Sequence, residues 1–167
     1  MGRWLPGLAA VAVGVALIVA AWPRFIGGAV IAPHEDLLRD IARGAKPDAA
    51  LLSDARESAR ISLDWYDYNR TWKRLGAFEL VTADIEAAPQ LRRAALGRSI
   101  TALRAGLARS PGDAYAWLQL AQALRERDGA TPGINPPIRM SLRAAAYEHR
   151  LIIPRLELAL SAWNVLD

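Results

Sequence analysis

Residues 4–22 form an apolar run without a charged side chain, and this run limits what the chain can fold into. As a helix it would be about 27 Å long at 1.5 Å per residue, close to the thickness of the hydrocarbon core of a bilayer. Trp4 and Trp22 bound the run and Arg24 follows it, as expected for side chains at the membrane interfaces. We predict a transmembrane signal anchor over residues 1–24.

A cleaved signal peptide is the alternative interpretation of this run. Arg3 would form the basic n-region and Val19-Ala20-Ala21 a small-residue cleavage site, which would leave a soluble periplasmic protein. We favour the uncut anchor, because the run is longer than the core of a usual signal peptide. The short basic head predicts a cytoplasmic amino terminus, so that residues 33–167 lie on the periplasmic side of the inner (cytoplasmic) membrane.

Charge and composition argue against several classes of protein. The 21 Lys and Arg exceed the 17 Asp and Glu by only +4, and no binding motif accompanies them, so we expect no nucleic-acid partner. The absence of Cys excludes disulfides, thiolate zinc sites and Cys nucleophiles. His34 and His149 lie far apart in the sequence, and neither has a convincing set of metal ligands around it. We therefore predict a non-enzymatic protein without catalytic residues, metal or cofactor.

The remaining sequence predicts an all-α fold, because apolar residues recur every three or four positions and no strand alternation is seen. Residues 25–46 are predicted to be a linker that contains a short helix from Pro33 to Arg43. The linker is predicted because Gly27 and Gly28 break the apolar segment that follows the run. Residues 47–167 are predicted to form the helical domain. Its expected helices span residues 47–63, 64–87 with a break near Thr82, 90–109, 113–127, 138–150 and 154–165. The core-facing residues of the helix over 90–109 are Leu96, Ile100, Leu103 and Leu107.

Two segments of this domain share one pattern: a Trp, then a Leu, then a small residue. They are Trp72-Lys73-Arg74-Leu75-Gly76 and Trp117-Leu118-Gln119-Leu120-Ala121. The pattern resembles the tetratricopeptide repeat (TPR), although the two segments are 45 residues apart instead of the usual 34 or so. The resemblance covers about residues 64–127 and implies a degenerate repeat, in which small residues let paired helices approach. The implied repeat core is Trp72, Leu75, Gly76, Leu103, Trp117, Leu120, Ala121 and Leu124, with Ser99, Gly106 and Pro111 at further positions of the motif.

Such a resemblance implies a small array of antiparallel helix pairs, which offers a concave surface to other proteins and carries no chemistry of its own. Together with the apolar run, it predicts a membrane-anchored adaptor of a bacterial-type cell envelope. Its expected partners are other envelope proteins.

The helix predicted over residues 90–109 is rich in arginine, and two interpretations stay open. The guanidinium groups are either solvated, with stems that cover apolar edges, or they contact an anionic partner such as lipid headgroups, an acidic polymer or an acidic protein. The second interpretation gives an alternative function, an accessory protein of envelope polysaccharide synthesis or export. The candidate contact residues are Arg92, Arg93, Arg98, Arg104 and Arg109.

Overall fold

The computed structural model describes residues 5–165 of the chain, and the fold over this range is all-α, without a strand. The α-helices are α1 (Leu5–Ile31), α2 (Leu37–Ala42), α3 (Ala49–Trp65), α4 (Asn69–Ile85), α5 (Pro89–Arg109), α6 (Ala114–Asp128), α7 (Asn135–Ala144) and α8 (His149–Ser161). Short 3-10 turns lie at Ala32–His34, Pro132–Ile134 and Trp163–Val165. The predicted all-α class is confirmed, and the bounds predicted for α5 differ from the observed ones by a single residue.

The N-terminal end contains the helical stretch that is long and apolar enough to cross a membrane, Ala10–Ala42, by length and composition. A signal sequence near an N-terminus meets the same criterion. The apolar side chains of α1 project away from the rest of the protein: Val11, Leu17 and Val19 are each 66% exposed. Trp4 lies outside the described residues.

The predicted linker over residues 25–46 is wrong for residues 25–31, because α1 continues through Pro23, Gly27 and Gly28 to Ile31. The short helix predicted within this range is present as α2. Gly27 is the contact point with α3: a Cβ added there would lie 3.0 Å from the carbonyl oxygen of Ser62. Glycine therefore serves here to bring two helices together and does not interrupt the helix. As a consequence, α1 enters the helical domain without a flexible joint.

Helix ends in the next segment differ from those predicted, and side-chain hydrogen bonds explain the differences. The Asp48 carboxylate accepts from the backbone N–H of Ala50 at 2.8 Å and of Leu51 at 3.1 Å, so α3 begins after Asp48 and not at Pro47. The predicted break near Thr82 is absent, because Thr82 lies inside α4 and its hydroxyl donates to the Phe78 carbonyl at 2.8 Å.

The C-terminal helices are also displaced from their predicted ranges. Helix α7 begins earlier than expected, at Asn135, directly after the 3-10 turn that contains Pro132. Helix α8 begins at His149 and runs through Pro154. The Glu148 carboxylate caps this helix by accepting from the N–H of Arg150 at 3.3 Å. The start of α8 is therefore set by a capping acid, Glu148, and not by Pro154, which the sequence predicts as the helix start.

Helices α3 to α7 pack mainly on their neighbours in sequence, whereas α1 packs on α3 and α8 contacts α6. The buried residues form two clusters. The smaller cluster joins α1, α3 and α4, with Ile31, Leu52 and Phe78 at its centre. The larger one joins α4 to α8, and it contains the predicted face of α5, namely Leu96, Ile100, Leu103 and Leu107, each at most 2% exposed.

Candidate functional site

The first predicted repeat segment lies on α4, and its small residue makes the closest contact with α5. A Cβ added to Gly76 would lie 2.5 Å from Cγ of Leu103, which is itself fully buried. The Ser99 hydroxyl donates to the Gly76 carbonyl at 2.8 Å across the same interface. Because only a hydrogen atom fits at Gly76, the two helix backbones can approach here.

A second close approach joins the other ends of the same two helices. A Cβ added to Gly106 on α5 would lie 2.6 Å from Cγ of Lys73 and 3.0 Å from the carbonyl oxygen of Asn69. The Lys73 ammonium then reaches Asp113 at 2.8 Å, and Asp113 caps α6 by accepting from the N–H of Ala116 at 3.1 Å. The start of α6 is thus tied to the α4–α5 pair.

The two repeat tryptophans do not lie in the core as the sequence predicted. Trp72 and Trp117 are half-buried, whereas the other predicted core residues, Leu75, Gly76, Leu103, Leu120, Ala121 and Leu124, are buried. Each indole N–H bonds back to the segment before its helix: Trp72 donates to Asp67 at 2.6 Å, and Trp117 to the Pro111 carbonyl at 2.7 Å. The polar edge of the ring needs such a partner, which keeps both rings at the rim.

A buried carboxylate on α4 was missed by the sequence analysis. Glu79 is 1% exposed and meets three guanidinium groups: Arg60 at 2.8 Å, Arg98 at 2.9 Å and Arg56 at 3.4 Å. These arginines come from α3 and α5, so one side chain joins three helices. The sequence feature that could have revealed Glu79 is its position between Phe78 and Leu80, on a helix face that is otherwise apolar. A carboxylate is buried at such a position only when a basic group pairs with it.

A groove of about 370 Å³ opens beside this cluster. Arg60 and Arg98 lie in its wall with Trp72, and their side chains are 45% and 46% exposed. Two guanidinium groups, those of Arg60 and Arg98, and the single carboxylate of Glu79 line the groove, so its wall carries an excess of positive charge.

Most of the arginines predicted to contact an anionic partner are bound within the protein. Arg92 pairs with Glu126 at 2.9 Å, Arg98 with Glu79 at 2.9 Å, and Arg109 with Asp67 at 2.6 Å. The Arg109 guanidinium also stacks over the Trp72 ring, 5.7 Å from its centroid. Arg93 and Arg104 are exposed. The arginines of α5 therefore act first as cross-links between helices.

Asp67 links the start of α4 to the end of α5. A hydrogen bond from Arg109, which has the larger effect, and one from Trp72 hold the pKa of Asp67 below its ordinary value of 3.8. Elsewhere, burial and the neighbouring Glu126 carboxylate raise the pKa of Asp84 above the same value, and Arg92 opposes this.

Helix α8 leaves an apolar face without a partner in the described part of the chain. Its inner face packs through Leu151, Arg155 and Leu158. The outer face, here called the α8 stripe, consists of residues that are 54–67% exposed and share about 100° of the helix circumference. The stripe is formed by Ile152, Ile153, Leu156 and Leu160, and Trp163, 71% exposed, follows it.

Arg155 lies on the inner face of α8, opposite the α8 stripe, and fixes the helix to the end of α7. Its guanidinium donates to the Ser141 carbonyl at 2.6 Å, to the Ser141 hydroxyl at 3.0 Å and to the Ala145 carbonyl at 2.9 Å. These carbonyls end α7, where the helix dipole favours a positive charge. Arg155 is 5% exposed, so α8 is fixed by a buried cation at a helix C-terminus.

The remaining predicted residues lie near the N-terminal end of the described chain or on its surface. Trp22 is 53% exposed and packs against Phe25 with ring centroids 6.2 Å apart, and Arg24 stacks over Tyr66. His149 is exposed at the start of α8. Over residues 5–165, no group of three or more His, Asp or Glu side chains is placed to hold a metal ion.

Comparison with protein-family models, with curated proteins and with solved structures gave no match.

Proposed function

We propose that this protein is a membrane-anchored, TPR-like adaptor of the cell envelope that holds other envelope proteins and performs no chemistry itself. The observation that carries the proposal is the α8 stripe. Four aliphatic side chains and a tryptophan lie exposed along this face, and a contiguous apolar patch of this kind marks a surface that another molecule covers. We expect a partner protein to cover the stripe with an apolar helix that continues the array.

The TPR-like part of the proposal is supported by packing order and by small residues. Helices α4, α5, α6 and α7 pack in sequence order, and α4 also touches α6, as successive helix pairs of a repeat array do. The close approaches at Gly76 and Gly106 fall at the small positions of the motif.

The anchoring part is supported by the exposed aliphatic side chains of α1, which water would not tolerate in such number on a free helix. A single-pass anchor with a periplasmic domain is consistent with them. Because α1 continues unbroken into the domain, it would hold the domain at a fixed height above the bilayer.

The proposal is tested by photo-crosslinking in cells at Ile153 and Leu156. The matched control position is Leu91, which is 59% exposed on α5, against 67% and 55% for the two test positions. We expect adducts with one defined envelope protein at both α8 positions and not at Leu91. The double variant Ile153→Glu, Leu156→Glu should remove that protein from detergent-solubilised complexes, while Leu91→Glu should retain it.

Two results would overturn the proposal. Adducts with only a second copy of this chain would make the α8 stripe a dimer interface, and adducts with lipid alone would place it on the membrane. The alternative function in polysaccharide synthesis predicts that Arg93→Gln, Arg104→Gln weakens binding to an acidic polysaccharide in a salt-sensitive manner, while the α8 variants bind normally.

A further inference from the structure

A cavity lies where α1 meets α3 and the start of α4. Its volume is about 380 Å³, within the range of about 300–1,000 Å³ that small-molecule sites occupy. Gly27 and Gly28 form the α1 side, and the buried residues Ser62 and Thr71 belong to the opposite side. The cavity exists because α1 stays helical past residue 24 and packs closely on α3 at Gly27.

The charges around this cavity are unbalanced. Three arginines line it, Arg24, Arg70 and Arg74, against the single carboxylate of Glu35. Arg74 uses one nitrogen on Glu35 at 2.8 Å. Hydrogen bonding and charge from Arg74, followed by the charge of Arg70, hold the pKa of Glu35 below its ordinary value of 4.5, so the carboxylate stays ionised. Three cations and one anion leave a net charge of +2.

Two of the guanidinium groups are placed to receive an anion. The Arg24 guanidinium lies over the Tyr66 ring, with Cζ 4.9 Å from the ring centroid, and a guanidinium stacked on a ring keeps its N–H groups available to donate. Arg70 stands exposed in the first turn of α4. The N–H groups of that turn, beside Thr71, add partial positive charge on the same side.

The height of the cavity along α1 fits the headgroup layer. Gly27 lies five residues beyond Trp22, which is about 7–8 Å along a helix. The headgroup regions add about 5–7 Å to each side of the hydrocarbon core. A bilayer crossed by residues 4–22 would therefore bring its phosphate groups to the mouth of this cavity.

We propose that the cavity binds a phosphate group through Arg24 and Arg70, and that in the membrane this phosphate belongs to an anionic lipid. The lipid source rests on the anchoring part of the proposed function, but the phosphate site and the α8 stripe are independent. All lining residues follow Ala21, so cleavage at the alternative signal-peptide site would leave the cavity intact.

The experiment uses the full chain in non-ionic detergent micelles and three probes: inorganic phosphate, dihexanoyl phosphatidylglycerol and dihexanoyl phosphatidylcholine. Binding is measured by calorimetry. We expect saturable one-to-one binding of phosphatidylglycerol that weakens about tenfold or more in Arg24→Gln, Arg70→Gln, since charge-assisted bonds to phosphate are lost. The control Arg43→Gln, Lys46→Gln removes the same charge from exposed positions outside the cavity and should change affinity less than about twofold.

Each outcome has one meaning. One outcome is that inorganic phosphate binds saturably and as tightly as the lipid, and that its affinity falls by the same factor in the Arg24, Arg70 variant. This outcome supports the site, with a soluble phosphate as its source. Equal weakening in both variants, or binding of phosphatidylcholine as strong as that of phosphatidylglycerol, overturns the proposal. Circular dichroism of each variant separates lost binding from lost folding. Unchanged crosslinking at Ile153 in the same variants separates a failure here from a failure of the adaptor.

Discussion

The α4–α5 pair and the terminal helix α8 carry aliphatic residues at the same helical spacing, yet they use them differently. Between α4 and α5 the backbones approach until no Cβ fits at Gly76, and the buried Glu79 holds α3 and α5 to α4. Helix α8 packs on one side only and leaves the α8 stripe exposed. The difference shows that the same spacing yields a buried face where a neighbouring helix packs on it, and an exposed face where no described helix does.

The largest effect is expected when the charge that joins three helices is removed. Glu79→Gln should lower the free energy of unfolding by about 2–4 kcal/mol, because three guanidinium groups lose their buried partner but two of them stay half-exposed to water. Urea denaturation of the detergent-solubilised chain measures this. The control is Glu57→Gln, which removes an exposed contact to the same Arg60 and should cost less than about 1 kcal/mol. Equal losses would mean that Glu79 is no tighter a partner than a surface acid.

A somewhat smaller loss is expected at the terminal helix. Arg155→Met should cost about 1.5–3 kcal/mol, since the carbonyls of Ser141 and Ala145 lose a charged donor. Hydrogen exchange should accelerate in α8 and stay unchanged in α4 and α5. Arg150→Met, at an exposed position of the same helix, is the matched control and should leave the exchange of α8 as it is. Acceleration throughout the domain would show that α8 is as integral as α4.

Two glycines on the paired helices should respond in opposite directions. A methyl group at Gly76 meets Leu103, so Gly76→Ala should destabilise the protein by about 1–3 kcal/mol. Gly97 on α5 has nothing within 4 Å of the added Cβ, so Gly97→Ala should stabilise by about 0.5–1 kcal/mol through helix propensity. Thermal unfolding of both variants checks the signs, and a stabilising Gly76→Ala would contradict the close approach of the two helices.

The smallest effect is a local response to pH that separates the two tryptophans. The lowered pKa of Asp67 means that its contribution to stability is complete above its ordinary value of 3.8 and is lost as the pH falls through the lower folded value. The indole N–H resonance of Trp72 should therefore shift below about pH 3.8, as Asp67 takes up a proton. Trp117 donates to a backbone carbonyl and should stay constant, which makes it an internal control. Matching shifts of both resonances would indicate general acid unfolding.

Local patterns in the sequence determined the helices themselves. The face of α5 with Leu96, Ile100 and Leu103 follows from a 3.6-residue period, and Asp113 caps α6 through the N–H of a residue three positions away. The apolar run at residues 4–22 is likewise recognised from consecutive residues, without reference to any tertiary contact. The resemblance to a repeat placed Gly76 and Leu103 in one implied core but did not pair them; the structure shows that they lie in close contact.

Only the tertiary structure decided what the polar groups and the helix surfaces contact. Arg109 and Asp67 lie 42 residues apart in sequence and Arg92 and Glu126 lie 34 apart, so no local spacing reveals that the arginines of α5 bind within the protein. The same holds for Gly27, which looks like a helix breaker until Ser62 packs against it. A helical period fixes which residues share a face, but whether that face is buried depends on the presence of a further helix beyond it, and at α8 the described chain provides none.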